Sequence, residues 1–280
     1  MPLQLILGTA QWSGSYGLTR LRASSFDRVA VGEIVSAASS SRWVALDTAP
    51  AYGDAESIIG NLGTKLAIHS KFDTSLSPES SLVRSLVRLQ TSEVDVMYFH
   101  DSRICLENRQ VVDQARELVG AGVSHLGSSV YEESEYEAAL STDGIDVIQV
   151  PLNPLDRRFC GDRLRTEGSM GRRVIARSIF LQGGLLRNPE ELPTQMGHLA
   201  PYIAEFQSIA SRFEVTPAQL VFSWLSSVGP LAGVVVGVDG PNDVREVTLA
   251  STEACDRRAV EMVMEMKVPS WPEVDPRQWA

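Results

Sequence analysis

Cysteine is scarce in this chain. Cys105, Cys160 and Cys255 stand far apart with no CxxC among them. That excludes a dense disulfide framework and points to a reduced cytosolic protein with buried thiols. Long apolar runs are missing too: none approaches the ~18 residues that span a membrane. The opening Met1-Pro2-Leu3-Gln4-Leu5-Ile6-Leu7 lacks a basic n-region and a long apolar h-region, so it reads as a first strand rather than a signal peptide. Basic charge is in deficit, with 25 Lys and Arg against 35 Asp and Glu and a formal net charge of −10. A nucleic-acid partner is therefore disfavoured, because phosphate binding needs a basic surface. No linker, low-complexity stretch, charge block or repeat divides the chain, and no His/Cys/carboxylate group has metal-ligand spacing. The expectation is one cytoplasmic domain over residues 1–280, without a metal and off the membrane. Its Pro-rich, irregular tail at 268–280 carries Trp271 and Trp279, which should dock it on the body.

What the chain does have is an alternation of strand-like and helix-like segments. Eight apolar runs, Leu3–Gly8, Trp43–Asp47, Leu66–Lys71, Val94–His100, Val123–Ser128, Ile145–Val150, Arg173–Arg177 and Gly233–Gly237, read as strands. Most lack strict alternation, as expected for parallel strands covered on both faces. Stripes of helical period lie between them: Phe26, Val29, Ala30, Ile34 and Ala37; Val111, Val112, Ala115, Leu118 and Val119; Ile203, Phe206, Ile209, Ala210 and Phe213. Thr216-Pro217 reads as an N-cap with proline at the first helical position, opening a helix with Leu220, Val221, Trp224, Leu225 and Val228 on one face. Gly63 and Gly122 mark helix stops. Repeated βα units with right-handed crossovers, in a chain of this length, predict a closed (β/α)8 TIM barrel.

Polar residues at the ends of three successive runs carry the functional signal. Asp47 ends the second run with Tyr52 just beyond it, Lys71 ends the third and His100 ends the fourth. In a parallel barrel those ends converge on one mouth. Tyr52 is a weak acid by itself, and a neighbouring ammonium such as Lys71 should lower its pKa. Asp47 can hold Lys71 charged and in place, and His100 can donate to a substrate oxygen. Together they can polarise a carbonyl and protonate the developing alkoxide, which suits hydride transfer from a nicotinamide. His69 is expected to point away from this face, and His125 and His198 to be structural.

The chain resembles the aldo-keto reductase family. The matching pieces are Leu7-Gly8-Thr9-Ala10-Gln11, Asp47-Thr48-Ala49-Pro50-Ala51-Tyr52-Gly53, Ser70-Lys71, Phe99-His100, Leu126-Gly127-Ser128-Ser129, Gln149-Val150-Pro151-Leu152-Asn153 and Pro217-Ala218-Gln219-Leu220. The resemblance implies an Asp47-Tyr52-Lys71-His100 tetrad and NADPH or NADH across the strand C-termini. It also implies cofactor contacts from Gly8, Thr9, Asp47, Ser129, Gln149, Arg177, Ser178, Leu181, Gly237 and Asp243, with Ser129 and Gln149 on the nicotinamide carboxamide. Val130 replaces the family's usual Asn after Ser129, and Arg177 stands where an aromatic ring often stacks on the nicotinamide. Arg177 could stack there, offer charge to the pyrophosphate, or pair with a barrel carboxylate.

After the eighth strand, Asp243 falls where the family often has an Arg for a 2′-phosphate. A carboxylate there would repel that phosphate and accept from a 2′-hydroxyl, which favours NADH. Arg245 could restore NADPH binding if it faces the site, and Asn242 and Asp243 could equally be helix caps. The substrate pocket is expected to draw on Gln11, Trp12, Tyr16, Phe180 and residues 101–108. The first strand begins almost at Met1, without the N-terminal hairpin of some relatives, and the loop after the fourth strand reads short. A shallow pocket for a polar carbonyl substrate such as a sugar follows. Two other readings stay open: a lyase forming a Schiff base on Lys71, and a non-catalytic nucleotide-binding regulatory protein on the same fold.

Overall fold

In the computed structural model, which describes residues 3–13, 28–161, 164 and 171–279, the apolar runs form eight parallel strands. They are β1 (Gln4–Gly8), β2 (Trp43–Asp47), β3 (Ala67–Lys71), β4 (Val94–Phe99), β5 (Val123–Ser129), β6 (Ile145–Pro151), β7 (Arg173–Arg177) and β8 (Gly233–Gly237). Each pairs with the next, and β8 pairs back with β1, so the sheet closes on itself. Among the described residues helices lie between all successive strands but β6 and β7, and with the closed sheet they make the (β/α)8 TIM barrel. Closure satisfies the backbone groups that an open sheet would leave at its edges.

Strand side chains divide into two layers. Ile6, Ala45, Val96, Tyr98, Val147 and Ile175 fill the barrel interior, while Leu5, Leu7, Leu46, Met97, Phe99 and Ile148 pack between strands and helices. Tyr98 fits inside because Gly127 opposes it on β5: a Cβ at Gly127 would lie 2.4 Å from the Tyr98 ring. The same alternation corrects the expectation for His69. Residues i and i+2 of a strand share a face, so His69 points inward like Lys71, and Ser70 between them points out to the buried Glu56 at 2.8 Å. His69 Nε2 lies 3.1 Å from Asp95 Oδ2, and its Nδ1 lies 3.4 Å from the Tyr98 hydroxyl.

Local chemistry sets the helix ends. The Thr216 hydroxyl accepts from the Gln219 amide, and the Gln219 side chain accepts from the Thr216 N–H, a reciprocal cap ahead of Pro217–Val228. Gly63 ends Ala55–Leu62 in the left-handed conformation with φ of 63°. The helix Arg28–Ser39 differs from its expected stripe. Val31, Ile34, Val35 and Ala38 face the core and Val29 is 66% exposed, because two overlapping stripes run through this apolar segment. Phe26 and Tyr16 lie outside the described residues. Cys160 and Cys255 are free and only partly buried.

The tail forms a short helix, Trp271–Val274, and one further turn. It is held by His198 against the Glu273 carbonyl at 3.0 Å and by the Arg158 guanidinium, 3.0 Å from the Trp271 ring centroid. Among the described residues no helix is long and apolar enough to cross a membrane.

Candidate active site

The strand ends bring Asp47, Tyr52, Lys71 and His100 together at the C-terminal mouth. Thr9, just past β1, fixes the end of β2 by donating from both its N–H and its hydroxyl to the Asp47 carbonyl, each at 3.0 Å. Lys71 Nζ reaches from β3 to Asp47 Oδ1 at 2.8 Å and to the Thr48 carbonyl at 2.9 Å. Tyr52 sits in the turn after β2, where its N–H donates to the Ala49 carbonyl and Gly53 takes the positive φ of 57° that the turn requires. The Lys71 ammonium lies 4.9 Å from the Tyr52 ring centroid. His100 follows β4 and meets Tyr52 edge to face, with ring centroids 6.1 Å apart.

Burial governs the titration of this group. It raises the Tyr52 pKa, and the Lys71 charge opposes that rise without reversing it, while Asp47 adds to it. Lowering of the Tyr52 pKa by Lys71 was the expectation from sequence; in the folded site desolvation of the phenolate is the larger effect. Burial also works against the charge on Lys71, but Asp47 and Tyr52 outweigh it and the ammonium's pKa ends above its ordinary value. His100 is pushed down to about 4, first by burial and then by the nearby Lys71 charge, so its imidazole is neutral at physiological pH.

Two cavities adjoin the group. One of about 390 Å³ runs from Asp47, Tyr52 and Gln149 past Gly8, Thr9 and Gly237 to Arg177, Ser178, Arg187, Asp243 and Glu246. The other, about 670 Å³, opens at His100 between Pro50, Ala51, Phe72, Asp101, Tyr131 and Arg277. Gln149 donates from Nε2 to Asp47 Oδ2 at 2.8 Å and accepts from the Ser129 hydroxyl at 3.2 Å. Leu181 is buried beside the first cavity's wall and takes a positive φ, as do Ser178 and Gln182. That strained turn after β7 brings backbone to the cleft.

The expected substrate wall is distributed differently. Gln11 donates to the Val238 carbonyl at 2.8 Å across Gly237, where a Cβ would lie 2.6 Å from the Gln11 side chain. Gln11 and Phe180 border the first cavity with the expected cofactor residues. Trp12 is buried and lines neither cavity. Arg177 donates to the Val130 carbonyl at 3.0 Å and lies 4.0 Å from the Tyr131 ring centroid. Arg277 of the tail covers the same ring at 4.1 Å, so the phenol is flanked by two guanidiniums. Asp243 Oδ2 caps its own loop, accepting from the Asp239 and Gly240 amides at 2.8 and 3.1 Å. Arg245 bonds Asn242 and borders an outer groove between Arg28–Ser39 and Pro241–Ala250, away from the cleft.

Sequence reasoning missed Arg187, Glu246, Tyr131 and Arg277 as wall residues. Each sits in a loop or on a helix flank whose direction no strand-end pattern reveals.

Residues 4–266 match the model of the Aldo/keto reductase family. The chain belongs to the aldo-keto reductase family. Among curated relatives of this family member, aldo-keto reductase str7 of Strobilurus tenacellus is 25% identical over 269 residues, covering 80% of this chain and 78% of that protein. Among solved structures, the glycerol dehydrogenase AKR11B4 from Gluconobacter oxydans superposes with a TM-score of 0.72 at 19% identity, over 95% of this chain and 91% of that one. The Pseudomonas aeruginosa protein PA4992 gives a TM-score of 0.65 at 19% identity over 88% of each chain. These two likenesses show the shared barrel.

Proposed function

We propose that this aldo-keto reductase family member is a cytosolic oxidoreductase that reduces an aldehyde, ketone or sugar carbonyl, with Tyr52 as general acid. The observation that carries the reading is the buried Lys71 ammonium, held between Asp47 Oδ1 and the Thr48 carbonyl beside the Tyr52 ring and opposite a neutral His100. Tyr52, kept protonated by burial, has a proton to give. His100 in its neutral form can donate to a carbonyl oxygen without losing that proton to solvent. Lys71 stabilises the phenolate left after the transfer.

NADH or NADPH, when bound, supplies the hydride. The residues fit such a group. Gln149 uses one N–H and one lone pair, which leaves one of each for a carboxamide. Arg187, on the cavity wall, can meet a pyrophosphate. Asp243 and Glu246 on the β8 side disfavour a 2′-phosphate and support NADH, while Arg245 is turned outward. The lyase reading is weakened because a tethered ammonium with a raised pKa is a poor nucleophile for a Schiff base.

The test is titration with NADH and NADPH by tryptophan fluorescence, then turnover on neutral aldehydes and aldoses in wild type and Tyr52→Phe. The expected outcome is tighter NADH binding, and in the variant a kcat lower by roughly 10³-fold with cofactor affinity retained. Full turnover by Tyr52→Phe would sink the reading, and cofactor binding without turnover of any carbonyl would favour the regulatory alternative.

A further inference from the structure

The second oxygen of the Asp47 carboxylate leads beyond the tetrad. Its Oδ1 holds Lys71, and its Oδ2 accepts from Gln149 Nε2 at 2.8 Å, across the barrel mouth from β6 to β2. All three side chains are almost completely buried, with Gln149 1%, Lys71 1% and Asp47 4% exposed. Chemistry fixes the orientation of the amide. A carboxylate only accepts, so the edge facing Asp47 must be the NH₂, and the carbonyl oxygen then faces Ser129, whose hydroxyl donates to it at 3.2 Å. An unbroken path therefore joins the Ser129 hydroxyl, the Gln149 amide, the Asp47 carboxylate and the Lys71 ammonium.

We infer that Gln149 is a positioning residue for the proton-donating group: it clamps Asp47 from the side opposite Lys71 and thereby links that group to the adjoining end of the cleft. A carboxylate held at one oxygen can pivot about its side-chain torsion; held at both, it is locked, and with it the ammonium that faces Tyr52. The inference rests on the reductase reading for its catalytic consequence, but the clamp itself is a property of the protein alone.

Lys71 is the group whose behaviour reports the clamp. The groups that act on it are Asp47 from β2, Tyr52 from the turn after it, and Tyr98 and His100 from β4 and its end, while Arg177 from β7 acts on Tyr52 and His100. Of these, Asp47 supplies the carboxylate that keeps the buried amine protonated. If Asp47 swings away, burial is left to pull the amine toward its neutral form, which reacts with acylating reagents. The chain's other lysines, Lys65 and Lys267, are internal references.

The experiment uses the full chain as wild type, Gln149→Met, Gln149→Glu and Ser129→Ala. Acetic anhydride labelling of each lysine without cofactor is followed by mass spectrometry at pH 9, with cofactor Kd and pH profiles of kcat and KM measured in parallel. In Gln149→Met, Lys71 should label about tenfold faster relative to Lys65 and Lys267, the scale of one lost charged hydrogen bond. The alkaline limb of kcat should move to lower pH, with kcat falling more than KM rises.

Gln149→Glu keeps the shape. Burial and the Asp47 charge hold the new carboxyl above the ordinary carboxylate range, so the variant should keep activity while that carboxyl is protonated and donating to Asp47 Oδ2, and lose it at a lower pH than wild type as the carboxyl ionises. Ser129→Ala, which leaves the Gln149 to Asp47 bond in place, should weaken cofactor binding with little change in Lys71 labelling. Gln149→Met that weakens cofactor binding but leaves Lys71 labelling and the alkaline limb unchanged would overturn the inference. So would a wild-type pH profile in Gln149→Glu. If wild type neither binds cofactor nor turns over, the reductase reading fails on its own, and the labelling of Lys71 still decides the clamp.

Discussion

At the residue scale, the burial that keeps His100 neutral also costs stability in acid. Its pKa in the folded protein is pushed down to about 4, from an ordinary value near 6.5, because burial and the Lys71 charge penalise the imidazolium. Between those two values the unfolded chain binds a proton that the folded chain does not. Stability therefore rises with pH through this window and is lost on acidification from about pH 7 toward pH 4. His100→Asn removes the penalty. Chemical denaturation at pH 7 and pH 4.5 should show the variant losing less stability than wild type, by roughly 2 kcal/mol after allowance for the side chain's partial exposure. An equal loss in both proteins would place the imidazolium's cost elsewhere. The same neutral imidazole should keep kcat for reduction level from about pH 6 to about pH 9, since Tyr52 remains protonated across that range.

At the scale of elements, the strands explain why so much of the site was legible. A polar residue closing a short apolar run between helical stripes reads as a strand end, and in a closed parallel barrel all such ends share one mouth, so Asp47, Lys71 and His100 converge without knowledge of any loop. Side-chain direction was less secure: His69 was expected to face away, although spacing of two puts it on the Lys71 face. Contacts across the mouth, such as Gln149 to Asp47 at a separation of 102 residues, depend on barrel geometry that no local pattern encodes. The inward stack gives a sharp prediction. Gly127→Ala would drive a methyl to within 2.4 Å of the Tyr98 ring and 2.9 Å of the Val147 carbonyl. About 1–3 kcal/mol of stability should be lost, read as a lower Tm. The β8 loop gives another. Asp243→Ala removes the acceptor for two loop amides and should cost about 1 kcal/mol. Glu246→Lys, on the cleft wall, should tighten NADPH binding relative to NADH in the fluorescence titration. No change in that ratio would mean that Glu246 does not meet the 2′ position.

At the scale of the whole molecule, a net charge of −10 becomes a matter of substrate choice where it is concentrated. The cavity at His100 is walled by Asp73, Asp101, Glu107, Glu132 and Glu135 against the guanidiniums of Arg103 and Arg277. Those two are committed: Arg103 to Asp101 at 2.5 Å, and Arg277 to the buried Asp275 at 2.8 Å with Glu132 farther off at 3.8 Å. On the proposed function, an approaching carboxylate or phosphate would meet repulsion with no uncommitted cation on that wall among the described residues, while a neutral polyhydroxy carbonyl would find acceptors for its hydroxyls. Repulsion of this kind is screened by salt, with a Debye length of about 10 Å at 0.1 M falling to about 3 Å at 1 M. Glycolaldehyde and glyoxylate differ mainly by that charge. At low ionic strength the KM for glyoxylate should exceed that for glycolaldehyde by on the order of tenfold, and the ratio should shrink several-fold at 1 M salt. Glu107→Gln with Glu132→Gln should narrow the ratio at low salt without added electrolyte. A ratio insensitive to both salt and these substitutions would assign the discrimination to shape, and the acidic wall would then be a solvated rim rather than a filter.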